Sequence, residues 1–393
     1  MKHQFLAMLL ARGFSTILQA FNLAVIARSV GLADFGLLGV MTSSAVLVST
    51  MFDLGMAPLI AKSAAVSNFV TTARALRVNH LTSMMLVVIS TTAFGIACLL
   101  GYLPVWPAFL ALAIGLEKKI ETGLSFFIAR GNRIVPNLSL LVRRAVPLSA
   151  TLLAVSFAVD PLAPYALAYV LACCGDLWFQ SILLTKSLGI RRSSDSEFFS
   201  VVKQAWPFFI GNLTAHVRFL DISIIAAMAS VQGAAMYSAA SKITNPLQLI
   251  PNTLTALILP HSSRLKLHDS KRLANRVTVA FLSLLVLVTP LAFYAERIVV
   301  LVFGTTFSEA APVLAISLIS LPLVTLSSPL GSVLQSQGYE KYVALNGLVF
   351  SVLLLASLLI SSHLWGVVGA ALAVAAVFGL KCASLYLKIR WIN

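Results

Sequence analysis

Apolar residues run along this chain in long stretches, broken by short clusters of charge, proline and glycine. A helix of ~20 apolar residues spans the hydrocarbon layer of a bilayer. Dividing the chain at those clusters gives about twelve such spans. They lie near residues 5–27, 36–58, 81–103, 107–129, 136–158, 162–185, 205–228, 235–258, 277–303, 310–335, 342–361 and 365–387. None shows the period-two alternation of a membrane strand, so the pattern predicts α-helices and excludes a barrel. The first apolar stretch persists from Lys2 to about Ala27, longer than the apolar region of a signal peptide, and reads as a retained span.

Composition agrees with the pattern. Hydrophobic residues make up 59% of the chain and charged ones 10%, against about a quarter charged in a soluble domain. The chain lacks the polar surface to face water, and the expected fold class is an all-α integral membrane protein. The net charge of +15 would suit a nucleic-acid binder were it clustered. Instead, the basic residues follow the even-numbered spans: Lys62, Arg74 and Arg77; Arg130 and Arg133; Lys186, Arg191, Arg192 and Lys203; Arg264, Lys266, Lys271, Arg272 and Arg276; Lys388 and Arg390. Connections after odd-numbered spans carry little charge. The positive-inside rule then places both termini in the cytoplasm and leaves no role for nucleic acid. Cys98, Cys173, Cys174 and Cys382 lie in apolar stretches without metal-ligand spacing and read as small packing residues.

Two longer basic connections, 62–79 and 259–275, follow the second and eighth spans. Sliding the first half of the chain by 202 residues aligns Gly31 with Gly233, Phe35 with Tyr237, Pro58 with Pro260, and Lys62 with Arg264. This repeat predicts two pseudo-symmetric six-helix bundles, 1–190 and 204–393, joined by a cytoplasmic linker over 191–203. A transport cavity is expected between such bundles.

Residues 116–124, LEKKIETGL, place Glu117, Lys118, Lys119 and Glu121 inside an apolar span. A charge facing lipid at the bilayer centre costs ~2.5–3.5 kcal/mol, so exposing all of them would cost on the order of 10 kcal/mol. At 100° per residue Glu117, Glu121, Ser125, Lys118 and Thr122 share one broad arc, with Lys119 at its edge. The strip points either into a wet cavity or into an internal salt-bridge cluster, with Lys118 and Glu121 paired at i,i+3.

Similar strips recur: Gln4, Arg12, Ser15, Thr16, Gln19 and Asn22 in the first span; Thr214, Arg218 and Asp221 in the seventh; Ser238, Lys242, Asn245 and Asn252 in the eighth. Together they fit one hydrated cleft. Its bases outnumber its acids, so it favours an anionic cargo, and arginine suits phosphate oxygens. Candidate substrate contacts are Arg12, Arg218 and Lys242, then Lys118, Lys119, Gln19, Asn22 and Asn245. Asp221, Glu117 and Glu121 balance charge or couple a proton or sodium ion, Asp221 being expected to pair with Arg218. Prolines 207, 246, 251, 322 and 329 offer bends within spans. No P-loop, HExxH or Cys/His cluster is present, no resident cofactor or metal is expected, and nothing argues for catalysis.

ARSVGLADFGLLGV (27–40), FDLGMAPLIAK (52–62), VFGTTFSEAAPVL (302–314), LGSVLQSQGYEKY (330–342) and LWGVVGAALA (364–373) together resemble the O-antigen type of polysaccharide flippase. The resemblance implies the two-bundle fold of multidrug-and-toxin-extrusion (MATE) antiporters. It also implies transfer of an undecaprenyl-pyrophosphate-linked oligosaccharide to the outer leaflet of a bacterial inner membrane by alternating access. Membrane lipids, a polysaccharide polymerase and a chain-length regulator would be its partners. The readings set against it are a cation-coupled multidrug antiporter of the same fold and a membrane glycosyltransferase or polymerase. The chain has no spare pair of spans matching the extra carboxy-terminal helices of lipid II flippases, which weighs against a peptidoglycan-precursor role.

Overall fold

The computed structural model describes residues 2–132, 134–188, 198–248, 258, 262 and 267–391. Among them are fourteen α-helices. The first eight are α1 (Lys2–Ser29), α2 (Leu32–Asp53), α3 (Met56–Ala65), α4 (Phe69–Leu99), α5 (Trp106–Ala129), α6 (Ile134–Ser156), α7 (Leu162–Leu188) and α8 (Phe198–His216). A 3-10 turn, Val217–Leu220, leads to α9 (Asp221–Met228) and α10 (Val231–Leu247). Then come α11 (Leu267–Phe293), α12 (Ala295–Phe303), a second 3-10 turn (Thr305–Ala310), α13 (Ala311–Ser336) and α14 (Glu340–Trp391). Seven described segments meet the length and hydropathy of a membrane crossing, so the chain is a multi-pass membrane protein. The longest helix, α14, breaks at Gly366 (φ 59°, ψ −144°) and covers the last two expected spans.

Several boundaries differ from the apolar pattern for local reasons. The expected connection 62–79 is mostly helix. Asn68 accepts a hydrogen bond from the Thr71 backbone N–H at 3.2 Å and caps α4, so Arg74 and Arg77 ride on a helix rather than a loop. Phe198–Lys203, placed in the linker by the sequence pattern, are the first turns of α8. Pro207, Pro246, Pro322 and Pro329 lie within continuous helices. Pro251, Asn252, residues 259–261 and 263–266, and the 191–197 part of the linker lie outside the described residues, as do the side chains of Gln4 and Thr214.

Packing groups the helices into two compact units. Unit 1 holds Met1–Val30 and Ser44–His216; unit 2 holds Gly31–Ser43 and Val217–Asn393. The grouping follows packing rather than chain order, because α2 is shared: its first half belongs with unit 2 and its second half with unit 1. Within unit 1, α1 packs on α6, α6 on α7, α7 on α5, and α5 on α4 and α3. Small residues permit this closeness. A Cβ on Gly115 would lie 2.6 Å from Val87 Cγ2 of α4, and one on Gly123 would lie 2.3 Å from Gln180 Oε1 of α7. Within unit 2, α13 packs on α11 and α14, while α9 packs on α14 and α10. Phe35 of α2 stacks against Phe303 and Phe307 there.

The α2–α3 turn combines left-handed backbone with close packing. Leu54 (φ 49°) and Gly55 (φ 77°) both adopt left-handed backbone. A Cβ at Gly55 would sit 2.5 Å from the Ala205 carbonyl oxygen of α8. Gly55→Ala should therefore lower the melting midpoint in detergent by several degrees. Gly95→Ala, near the C-terminal end of α4 with open space around it, should leave it unchanged or raise it slightly.

Candidate functional site

The charges of α5 are held from two directions. Glu117 faces α6 and α7. Its Oε1 accepts from Arg143 Nη1 at 2.7 Å and from Arg144 Nη2 at 3.1 Å, and its Oε2 accepts from the Tyr169 hydroxyl. Arg144 Nη1 also donates to the Tyr169 oxygen at 2.8 Å. Arg143 is buried, with 1% of its side chain exposed, and stands among three carboxylates: Glu117, Glu121 at 3.9 Å, and Asp176 at 3.4 Å from its Nε. Ser139 Oγ donates to Asp176.

Lys118 turns the other way, to Asp53 at the end of α2, with Nζ 2.8 Å from Oδ1. Thr122 Oγ1 donates to the same oxygen at 2.8 Å, and Asp53 Oδ2 accepts from the Ala57 N–H at 3.4 Å. One carboxylate thus fixes the start of α3 and locks the α2–α3 turn onto α5. The i,i+3 pairing of Lys118 with Glu121 is corrected: both side chains find partners on other helices, because their neighbours across the packing interface are closer. Lys119 contributes its backbone carbonyl to Asn79 of α4 at 3.5 Å, and its amine stands near His80.

In α1, Asn22 is buried and its Oδ1 has no hydrogen-bond partner among the described residues. Gln19 is partly buried and Arg12 exposed. Among the described residues these three make no ion pair with the α5 network, although α1 packs on α6, which carries Arg143 and Arg144.

Unit 2 holds the second group. Arg218, on the 3-10 turn, donates from Nη2 to Gln248 Oε1 at 3.0 Å, and Gln248 Nε2 donates to Asn245 Oδ1 at 3.4 Å. Asp221 accepts from the Ile222 N–H at 2.8 Å, and Tyr237 stands near it. The expected Arg218–Asp221 ion pair is corrected. The two interact electrostatically, but no ion pair within 4.0 Å joins them among the described residues. Starting α9 at Asp221 turns its carboxylate back onto the helix N-terminus. Lys242 is also within electrostatic reach of Asp221. Lys381 of α14 lies within reach of Arg218, its Nζ 5.6 Å from the Phe378 ring centroid.

The structure thus gathers Glu117, Glu121 and Lys118 in unit 1, and Arg218, Asp221, Lys242 and Asn245 in unit 2. Sequence reasoning missed Asp53, Arg143, Arg144, Tyr169 and Asp176 in the first group, and Tyr237, Gln248 and Lys381 in the second. Every charged one sits inside an expected span, so the rule applied to residues 116–124 marks them equally. The described residues contain no His/Cys/Asp/Glu group able to hold a metal.

Replacing Arg143 by Gln leaves Glu117 and Asp176 with an uncompensated share of buried charge, and should cost about 3–5 kcal/mol of stability. Removing both partners, as in Asp53→Leu with Lys118→Met, should cost less than Asp53→Leu alone. Thermal unfolding of the purified variants in detergent checks both expectations.

Comparison with solved structures places the fold. An inward-facing multidrug resistance MATE family transporter of the MOP superfamily matches with a TM-score of 0.72 at 13% identity, covering 95% of this chain and 94% of that one. Lipid II flippase MurJ, in an inward closed conformation, matches at 0.68 and 14% identity over 98% of this chain and 88% of that one. A MOP superfamily transporter from Pyrococcus furiosus, distinguished by the reverse polarity of its binding pocket, matches at 0.65 and 13% identity over 98% and 94%. At these identities the likeness shows a MATE-like fold alone. No curated protein matches the chain. The sequence model described as "Polysaccharide biosynthesis protein" matches residues 2–266, two thirds of the chain, and the protein therefore belongs to that family.

Proposed function

We propose that this protein is a flippase that carries a lipid-linked oligosaccharide with an anionic headgroup, of the undecaprenyl-pyrophosphate type, across the bacterial inner membrane. The observation that carries the reading is membership of a polysaccharide biosynthesis family on a fold whose solved neighbours are transporters and a flippase. The protein acts as a transporter rather than an enzyme. The lipid tail of the cargo stays in the bilayer while the sugar and phosphates move along polar side chains. Both termini lie in the cytoplasm, in keeping with the basic connections after even-numbered spans.

Three cations are the proposed headgroup contacts: Arg218 and Lys242 of unit 2, and the exposed Arg12 of α1. Gln19, Asn22 and Asn245 are proposed sugar contacts, since neutral amides match hydroxyls. Lys118 is bound to Asp53, and Glu117 to two arginines, so their role is to hold the helices. Lys119 is a weaker headgroup candidate, with its amine turned toward α4. Glu121, more than half exposed, is the carboxylate of that network best placed to exchange a proton or sodium ion if transport is ion-coupled. A cationic dye, the cargo of a multidrug antiporter, would meet repulsion beside Arg218 and Lys242.

The test is flipping of a labelled lipid-linked sugar in proteoliposomes. Wild type should flip the probe, and Arg218→Ala should slow it at least tenfold, the loss of one charge-assisted contact being worth about 1.5–3 kcal/mol. Arg12→Ala should slow it less. Unchanged rates in both variants would remove these residues from the transport route.

A further inference from the structure

At one end of unit 2, the last turns of α14 fold back on the helix's own beginning and on the start of α11. The Tyr342 hydroxyl shares a hydrogen bond with Ser384 Oγ at 2.9 Å, and Asn346 Nδ2 donates to the same oxygen at 2.9 Å. Tyr386 donates to Asn275 Oδ1 of α11 at 3.0 Å, and Lys271 Nζ of α11 donates to the Arg390 carbonyl at 3.4 Å. Gln337, just past α13, donates to Ser270 Oγ of α11 at 2.9 Å. These contacts bind the helix ends into one platform, built over an apolar core that includes Leu334, Leu385 and Ile389.

Two cations stand on this platform with aromatic rings for company. Lys388 Nζ lies 5.2 Å from the Tyr339 ring centroid and 5.5 Å from that of Tyr342, while the Arg390 guanidinium lies 5.9 Å from the Tyr386 ring. Among the described residues, the ion pairs within 4.0 Å include neither of them. An aromatic face orients a cation and leaves its charge unbalanced. The exposed acids on the same helices, Asp269 and Glu340, are outnumbered by exposed Arg272, Arg276 and Lys341.

The flanks of the platform are apolar. Leu345 and Leu387 are exposed, and Trp391 at the end of α14 is 80% exposed. Both α11 and α14 have the length and hydropathy of membrane crossings, so leucines on their outer faces meet acyl chains. Tyrosine and tryptophan collect at the level of the headgroups. Cations, phenols and exposed leucines thus stand in the order in which a phospholipid presents its phosphate and its chains. A soluble anionic partner would match the cations and leave the leucines unmatched.

We propose that this end of unit 2 is a docking platform for anionic glycerophospholipids of the surrounding bilayer, with Lys388 and Arg390 each taking one phosphodiester. The two residues lie about 200° apart around the helix, one turned to the rings of Tyr339 and Tyr342 and the other to α11, so they serve separate headgroups. The proposal needs the membrane-crossing helices and nothing about the cargo, so a failed flipping assay leaves it standing.

The experiment counts lipids bound to the full-length protein, released from neutral detergent into a native mass spectrometer, using phosphatidylglycerol and phosphatidylcholine with identical chains. Wild type should take up two phosphatidylglycerols, each about fivefold more tightly than phosphatidylcholine, as one cation beside an anionic headgroup predicts. Lys388→Gln should leave one such site, and Lys388→Gln with Arg390→Gln none. Lys388→Arg should keep both. Arg297→Gln should also keep both: that residue is exposed beside the Tyr294 ring at the other end of α11, with Glu296 next to it. Lys388→Met with Arg390→Met, which keeps apolar stems, replaces the Gln pair if that one melts early. Equal uptake of the two lipids by wild type would overturn the proposal, as would an undiminished preference in the doubly neutral variant. Displacement of both phosphatidylglycerols by a one-to-one amount of polyprenyl diphosphate-linked monosaccharide would overturn it as well, making the platform a landing site for cargo.

Discussion

A guanidinium buried inside a membrane protein needs negative charge on nearly every side, and Arg143 is the residue around which unit 1 meets that need. It stands on α6 among carboxylates from α5 and α7, with 1% of its side chain exposed. Because hydrocarbon offers no solvent to stabilise a stray charge, the positions of α5, α6 and α7 are coupled through it. Asp53 extends the same logic to α2 and α3 by holding Lys118, Thr122 and the Ala57 N–H. Apolar packing alone drives helix association weakly in lipid. Glycines bring the backbones of unit 1 close, and the ionic network then selects one register among many that would pack almost as well.

Unit 2 uses charge differently. Arg218 is oriented by an amide, Asp221 turns onto its own helix terminus, and Lys381 rests on an aromatic ring. None of these contacts neutralises a cation. The same MATE-like fold serves multidrug transporters and a lipid II flippase, so the backbone does not choose between cargoes. The side chains do.

The apolar runs alone outline most of the helices, since length and hydropathy are properties of single segments. They miss what depends on neighbours. The break between α2 and α3 requires left-handed Leu54 and Gly55, and the helical course of residues 69–79 depends on the Asn68 cap. The polar strip on α5 is visible from its spacing, but its meaning is not. Glu117 and Lys118 are adjacent in sequence yet answer to different helices, so no pattern within residues 116–124 reveals Asp53 or Arg143 as partners. The pairing of Arg218 with Asp221, plausible at i,i+3, fails because Arg218 reaches Gln248 while Asp221 turns onto the Ile222 N–H. Lys381 lies far along the chain, where only packing of α14 on α9 brings it near Arg218.

The proposed flippase role requires that an anionic lipid-linked sugar be carried in preference to a cation. The most direct measurement loads one batch of proteoliposomes with a diphosphate-linked lipid sugar and a cationic dye, and follows both across the membrane. Protein-dependent movement of the lipid sugar with none of the dye is the predicted result. Movement of the dye without the lipid sugar would contradict the account and identify the protein as a drug transporter of the same fold.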